Sequence, residues 1–403
     1  DGGHIVGEGY DYEIIEKMNA PLDGYHILVT LNSDGTMKKT GVGSVVESLA
    51  LDPASADMAR LREIFAKPSL QMVSFTITEK GYSLRNAAHE LAPVVVADME
   101  NGPEGCKAFM SQLTALCIQR GRTCGKPIAL VSMDNCSHNG EKLQMAVMEI
   151  AKAWLDNGKI EAADYAYLET QVAFPWSMID KITPRPDAKV EEKLLADGLE
   201  EISPFVTSKN TYTAPFVNAE KAQYLVIEDW FPNGRPALEK AGVIITSRDI
   251  VNKVEKMKVC TCLNPLHTCL AIYGCILGHT SIAAEMNDPE LAAFVEKMGY
   301  EEGMPFVVDP GVIDPKQFLH EVLTLRLPNP FMPDAPQRIA MDTSQKLAIR
   351  FGETLKKYEE RGLDKNNLVL IPLVLAGYAR YLKGINDAGE AFAPSPDPML
   401  AEL

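Results

Sequence analysis

This 403-residue chain lacks an uninterrupted apolar run long enough to cross a bilayer. The longest apolar run, residues 368–379 (LVLIPLVLAGYA), falls short and holds Pro372, which suits a buried helix. An excess of positive charge is also missing. There are 39 Lys and Arg against 55 Asp and Glu, a net charge of -16, and without a basic surface a nucleic-acid partner is excluded. A local basic pocket for a small anion remains compatible with that balance. The first residues, DGGHIVGEGYDYE, lack the basic start and apolar centre of a signal peptide. The eight cysteines lie mostly inside apolar runs, without the spacing of a small disulfide scaffold. They read as reduced thiols of a cytoplasmic protein. Internal repeats and low-complexity tracts are absent. What is there, 46% hydrophobic and 23% charged residues, is ordinary for a soluble globular enzyme of two or three domains.

The first part alternates strand and helix signals. HIVGEG (4–9) reads as a strand, DYEIIEKM (11–18) as a helix, and HILVTL (26–31) and VGSVVESL (42–49) as further strands. Residues 55–66 and 106–120 look helical. QMVSFTIT (71–78) is rich in β-branched and aromatic residues, and PIALVSM (127–133) is nearly continuous apolar sequence, as in buried strands. A helix is expected over 139–157, with Leu143, Val147, Ile150, Ala151 and Trp154 on one face and Gly158 as its stop. Strands without polar alternation, separated by helices, imply a parallel sheet covered on both faces, the doubly wound architecture that binds nucleotides. From residue 187 helical periodicity dominates, with one β-like piece, QYLVIEDWF (223–231). The expectation is an α/β, Rossmann-type domain over 1–186 and a mainly α-helical domain over 187–403. They would join at TPRPDAK (183–189), where two prolines disfavour helix.

A dinucleotide-binding sheet opens with a strand, a glycine-rich turn and a helix whose N-terminus holds the pyrophosphate. The chain lacks that unit. GVGS (41–44) imitates its start, but Val46 stands where the third glycine belongs, and no strand runs into a helix there. HIVGEGYDYE instead looks like the second strand of such a fold, ending in acidic residues. Glu8, with Asp11 behind it, would accept hydrogen bonds from an adenosine ribose and favour NAD over NADP. The first strand of a doubly wound sheet is central, so its loss would leave two unpaired edges and an uncovered core. The expectation is that the phosphate-binding unit lies in residues preceding Asp1. YSLRN running abruptly into AAHEL, near residues 85–90, hints at a second interruption.

MKVCTCLNPLH (257–267) sets Lys258, Asn264 and His267 in an apolar run. Asn264 and His267, three apart, share a helix face. A regular helix would put Lys258 about 240° from Asn264 and about 180° from His267. Pro265 would also remove a hydrogen bond to the Thr261 carbonyl. A π-bulge or kink would relieve both problems, and such bulges often mark functional sites. SMDNCSHNG (132–140) follows the strand PIALV, so Asn135 would stand at a strand's carboxyl end, where ligands bind in open α/β sheets. Asn139 reads as the cap of the next helix and His138 as a turn residue. Lysine, two carboxamides and histidine suit a carbonyl–alcohol interconversion. A buried lysine with a lowered pKa moves the hydroxyl proton, the amides donate to the developing alkoxide, and histidine orients its neighbours. Cys260, Cys262, His267, Cys269 and Cys275 lie close enough to raise zinc as an alternative. Paired Cys-x-x-Cys units are missing, however, and the apolar helix argues for buried free thiols.

SMDNCSHNG, FPWSMIDKITPRP (174–186), YLVIEDWFPNGRP (224–236), MKVCTCLNPLH and QRIAMDTSQKLAIRF (337–351) follow one another in an order that resembles the long-chain polyol dehydrogenases. That family includes mannitol 2-dehydrogenase, fructuronate reductase and tagaturonate reductase, and the resemblance covers nearly the whole chain. It implies a nucleotide-binding domain, a helical domain, an active site between them, a nicotinamide cofactor and no metal. It also implies that Lys258 is the general acid/base, that Asn135 and Asn264 hold the reacting oxygen, and that His267 positions substrate. Arg338 and Lys346 match residues that contact the far end of the substrate, and Asp180 and Glu255 match acids near the site. Glu79 matches an acid by the proton path, and Thr78 beside it is placed toward the cofactor. The lysine-to-asparagine interval is one residue longer than in the mannitol dehydrogenases. TCLNPLH and residues 207–236 look more like the fructuronate reductase branch. This favours a uronate substrate, whose carboxylate Arg338, Lys346 or Lys209 would bind. The reaction expected is NADH-dependent reduction of D-fructuronate to D-mannonate by a monomer or homodimer, with no membrane partner. Mannitol oxidation and tagaturonate reduction are the alternatives. A non-catalytic nucleotide or sugar-acid sensor is the alternative of another class.

Overall fold

The computed structural model describes residues 3–7, 11–20, 22–86, 88–332 and 334–403. In chain order the elements begin with β1 (Gly3–Gly7), α1 (Tyr12–Asn19), β2 (His26–Leu31), β3 (Met37–Val42), β4 (Val45–Ala50), α2 (Ala56–Ala66) and β5 (Met72–Phe75). Then come α3 (Thr78–Gly81), α4 (Pro93–Asn101), α5 (Phe109–Thr123), β6 (Ile128–Ser132), α6 (Asn139–Asp156), α7 (Ala162–Gln171), β7 (Val172–Ala173), β8 (Ser177–Asp180) and α8 (Ala188–Ala196). Short strands follow: β9 (Phe205–Val206), β10 (Tyr212–Thr213), β11 (Phe216–Glu220), β12 (Tyr224–Glu228) and β13 (Ile244–Thr246). Two compact units result. One comprises Asp1–Val29, Lys39–Ala219 and Gln223–Val251; the other comprises Thr30–Lys38, Glu220–Ala222 and Asn252–Leu403.

Two parallel ladders frame the first unit. β1 pairs with β4, and β5, β6 and β7 pair in that order. Every residue of β6 is buried, which is why its sequence shows no polar alternation. α6 turns Leu143, Val147, Ile150, Ala151 and Trp154 inward, all fully buried as their spacing predicts. Each of the larger side chains contributes about 1.5–3 kcal/mol of burial. Gly158, at φ 64°, ends that run. The fully buried Arg120 guanidinium donates to the carbonyls of Phe65, Lys67, Leu70, Lys126 and Pro127, tying the end of α2 to the starts of β5 and β6.

β1 and β5 belong to separate ladders. A cavity of about 930 Å³ has His4 and Val6 of β1 on its wall together with Val73 and Phe75 of β5 and Phe109 of α5. Strand order runs outward from both of its sides, from β1 to β4 and from β5 through β6 to β7. That order leaves, between β1 and β5, the place that the central first strand takes in a doubly wound sheet.

Two expectations are corrected here. The strand read over 71–78 stops at Phe75, because Thr78 opens α3 with φ 61°, a conformation no strand contains. Residues 187–251 are not mainly helical. β12 pairs antiparallel with β8 and parallel with β13, through Val226↔Ile244 and Ile227↔Ile245. Strands of two to five residues carry too little periodicity to be separated from helix by pattern alone. Residues 187–219 and 223–251 fold with the first unit, so the division falls near 252 and not at 187.

The rest of the chain is helical. α9 (Arg248–Met257) passes through a π-turn, Lys258–Cys262, into α10 (Asn264–Leu277). α11 (Ile282–Met286), α12 (Pro289–Lys297), α13 (Pro315–Glu321), α14 (Pro336–Ile339), α15 (Thr343–Arg350), α16 (Gly352–Glu360) and α17 (Leu370–Tyr381) follow. The run Arg248–Leu277 is long and apolar enough to cross a membrane by length and composition, but 72% of its apolar window is buried in the fold, as in a core helix. In the second unit Arg326 and Glu220 form a bidentate buried pair, at 3.0 and 2.9 Å. The Glu302 carboxylate accepts the N–H groups of Val369, Leu370 and Ile371, satisfying the orphan donors at the start of α17.

Candidate active site

The π-turn falls where the polar spacing demands it. The Leu263 N–H donates to the Lys258 carbonyl at 3.1 Å, one residue further back than in an α-helix. The extra residue takes up about 100°, so Lys258 and His267 come to lie about 80° apart, not opposite. Pro265 sits in the first turn of α10, where its missing N–H leaves no bond unmade. Lys258 is buried, 2% exposed, while Asn264 and His267 are partly open. The Asn264 carbonyl accepts the Thr268 hydroxyl at 2.9 Å.

His267 is held from behind. Its Nε2 lies 2.8 Å from Oδ2 of Asp334, whose Oδ1 accepts from Nε of Arg338 at 3.2 Å. Burial alone would raise the Asp334 pKa, but the His267 hydrogen bond and the charges of His267 and Arg338 outweigh it and hold the carboxyl below its ordinary range. Arg338 is therefore already engaged, although its side chain is 60% exposed. On α15, Lys346 donates to the carbonyls of Ile339 (3.2 Å) and Met341. Burial, with the neighbouring Arg350 charge, brings its pKa down to about 8.

The first unit builds a second polar knot where β5 and β6 end. The Asp134 carboxylate accepts the N–H groups of Ile77 and Thr78, each at 2.9 Å, and the Tyr82 hydroxyl at 2.5 Å. It thereby fixes Thr78 in a left-handed conformation that is rare for a β-branched residue. Asn135 follows Asp134 directly, beyond the end of β6. Asn139 does not cap α6. It is the first residue of that helix, and its amide donates to the carbonyls of Asp134 and Ser177 at 3.1 and 3.0 Å. The cap position belongs to His138, at φ 53° and stacked on Trp176 with ring centroids 4.2 Å apart. A Cβ on Gly140 would stand 2.7 Å from the carbonyls of Phe174 and Pro175, so only glycine lets the chain pass this close.

Other anticipated residues scatter. Asp180 is buried at the end of β8, and Glu255 is half-buried, three residues before Lys258. Lys209 is exposed in the turn between β9 and β10, in the first unit. Glu79 is 66% exposed and paired with Lys142. Asp11 lies on the wall of the large cavity, half-buried, its pKa raised by burial. Glu8 lies outside the described residues. Cys262, Cys269 and Cys275 are buried and Cys260 partly so. Burial pushes the Cys260 thiol up to about 11 and the Cys262 and Cys275 thiols to about 12. Asp134 and Asp334 were not anticipated, since neither belongs to a periodic segment.

An α/β unit with two parallel ladders, together with a helical unit that carries a buried lysine one π-turn before an asparagine and a histidine, defines a two-part oxidoreductase. The chain belongs to the mannitol dehydrogenase family. The family's Rossmann-domain model matches residues 9–240 and its C-terminal-domain model residues 250–403. A D-mannonate oxidoreductase of Thermotoga maritima is 54% identical over 406 aligned residues, which span 100% of this chain and 75% of that protein. A mannitol 2-dehydrogenase of Cereibacter sphaeroides is 31% identical over 98% of this chain and 79% of its own length. Among solved structures, a substrate-free D-sorbitol dehydrogenase superposes with a TM-score of 0.83 at 25% identity, covering 97% of this chain and 77% of that one. Mannitol 2-dehydrogenase of Pseudomonas fluorescens, in complex with NAD and D-mannitol, gives 0.73 at 27% identity, over 98% and 75%.

Proposed function

We propose that the chain interconverts a ketouronate and its aldonate, D-fructuronate and D-mannonate first among them, with NAD as the hydride carrier. The observation that carries this reading is the 54% identity, over the whole chain, to a D-mannonate oxidoreductase, against 31% to the mannitol 2-dehydrogenase above.

The described residues fit a dinucleotide in part. Two parallel ladders with a cavity between β1 and β5 are consistent with a doubly wound nucleotide-binding sheet, and Asp11 and Thr76 stand on that cavity's wall. No described strand, glycine turn and helix together cradle a pyrophosphate, so no diphosphate contact is assigned to a residue of this chain. When bound, the nicotinamide supplies or accepts the hydride.

The chain's own residues manage the proton and the oxygen. In the reducing direction the Lys258 ammonium gives its proton to the carbonyl oxygen, and in the oxidising direction the amine takes the hydroxyl proton back. The Asn264 carboxamide donates to the oxygen as it gains charge, and the family resemblance assigns Asn135 the same task. His267, oriented by Asp334, holds a substrate hydroxyl. Lys346 meets the substrate's far end, Asp180 and Glu255 are the acids of the site, and the Thr78 hydroxyl and the Glu79 carboxylate belong to the cofactor side.

The test is a substrate panel followed through nicotinamide absorbance. D-fructuronate with NADH, and D-mannonate with NAD, are expected to exceed fructose, mannitol and tagaturonate in kcat/KM, and NADP(H) is expected to be the weaker cofactor. A preference for mannitol and fructose, or no turnover of any ketose or ketouronate, overturns the reading.

A further inference from the structure

α15 carries two cations on one face, Lys346 and Arg350, four residues apart. Both are partly buried, and neither has a carboxylate at ion-pair distance among the described residues. Among the described residues Lys346 meets only main-chain carbonyls. Arg350 there makes one hydrogen bond, from its guanidinium to the Thr268 hydroxyl oxygen, and that hydroxyl in turn donates to the carbonyl of Asn264. Four of its five N–H donors are left over. Arg338 differs, because its charge is already met by Asp334.

Holding two cations side by side out of water is unfavourable on both counts, desolvation and like-charge repulsion. Both groups show it: burial brings Arg350 down to about 10, and burial with the Arg350 and Arg338 charges brings Lys346 down to about 8, against the opposing charges of Asp342 and Asp397. An anion placed between them relieves both penalties. A guanidinium with free, coplanar donors beside an ammonium is the set that grips a carboxylate by two parallel hydrogen bonds and a point charge. The link through Thr268 to Asn264 ties this seat to the residue that grips the reacting oxygen.

We propose that Arg350, with Lys346, seats the carboxylate of an acidic sugar substrate, and that Arg350 in place of Arg338 sets the preference for a uronate over the uncharged ketose. This rests on the reading of the second unit as a sugar-acid oxidoreductase site.

The experiment compares wild type, Arg350→Gln and Arg350→Lys on D-fructuronate and D-fructose, and measures the thermal midpoint of each protein with D-mannonate or D-mannitol added. Arg350→Gln is expected to raise KM for fructuronate about 100-fold with kcat largely kept, the scale on which removing one member of a desolvated charge pair weakens binding. The ratio of kcat/KM for fructuronate over fructose falls with it. Arg350→Lys, which keeps the charge and loses the fork, is expected to fall between the two. D-mannonate should raise the midpoint of wild type and not of Arg350→Gln, while mannitol does not distinguish them. An unchanged substrate ratio, or an equal loss on both substrates, overturns the seat. A wild type that turns over no ketouronate but is stabilised by mannonate through Arg350 overturns the proposed reaction and leaves the seat standing.

Discussion

Nε2 of His267 and Oδ2 of Asp334 are 2.8 Å apart, across 67 residues of sequence. One side of Asp334 thus fixes the imidazole while the other holds Arg338. Asp334→Asn removes the charge that pins both. The expected result is a rise in substrate KM of about 10- to 100-fold with a smaller change in kcat, since the group proposed to orient substrate is loosened while Lys258 stays in place. Steady-state kinetics of the variant check it, and an unchanged KM removes Asp334 from the site. The depressed Asp334 pKa also gives a sign for acid: this pair stabilises the fold above the ordinary carboxylate range and is lost as pH falls through the native value.

Lys258 is buried in the π-turn, and the proposed reaction makes it the proton carrier. Lys258→Ala is expected to lower kcat by about 100- to 10,000-fold, the usual contribution of general acid–base catalysis. Cofactor affinity, measured by quenching of protein fluorescence, should change little. Ordinary turnover in this variant sinks the assignment.

How far these residues could be read in advance follows from what each depends on. The π-turn was legible because Lys258, Asn264, Pro265 and His267 contradict a regular helix locally, within ten residues. The inward face of α6 was legible from periodicity inside one element, and the parallel pairing of β5 and β6 from strands that lack polar alternation and are separated by helices. Asp334 was not, since its partner is a distant residue and its own segment has no period. Thr78 owes its left-handed conformation to the Asp134 carboxylate, a tertiary cause that no local propensity carries. The engagement of Arg338 and the open charge of Arg350 likewise appear only when α10, α14 and α15 are packed together.

As the proposed carboxylate ligand, Lys346 gives the site an expected alkaline limit. Its pKa of about 8 means that the amine is charged below that pH and neutral above it. Attraction for a substrate carboxylate therefore weakens as pH rises through 8, so KM for fructuronate should climb while KM for fructose stays level. The measurement is KM for both substrates from pH 6.5 to 9.5. A parallel rise for both sugars, or none for the uronate, counts against Lys346 as a carboxylate ligand.

The Glu285 carboxyl supplies a test of stability. It is fully buried in α11 against Gly274, where an added Cβ would stand 1.9 Å from Oε1, and neither oxygen has a hydrogen-bond partner among the described residues. Burial, with the nearby Asp334 charge, pushes its pKa up to about 9 from an ordinary 4.5. Between those two values the native state keeps a proton that the unfolded chain releases, so the group destabilises the fold progressively as pH rises. Each pH unit in that window corresponds to about 1.4 kcal/mol. Glu285→Gln has nothing to titrate, so its stability relative to wild type should improve steadily from pH 5 to pH 8.5. Urea unfolding at several pH values reads this directly. A difference between the two proteins that does not vary with pH would mean that Glu285 is ionised, and partnered, in the native state.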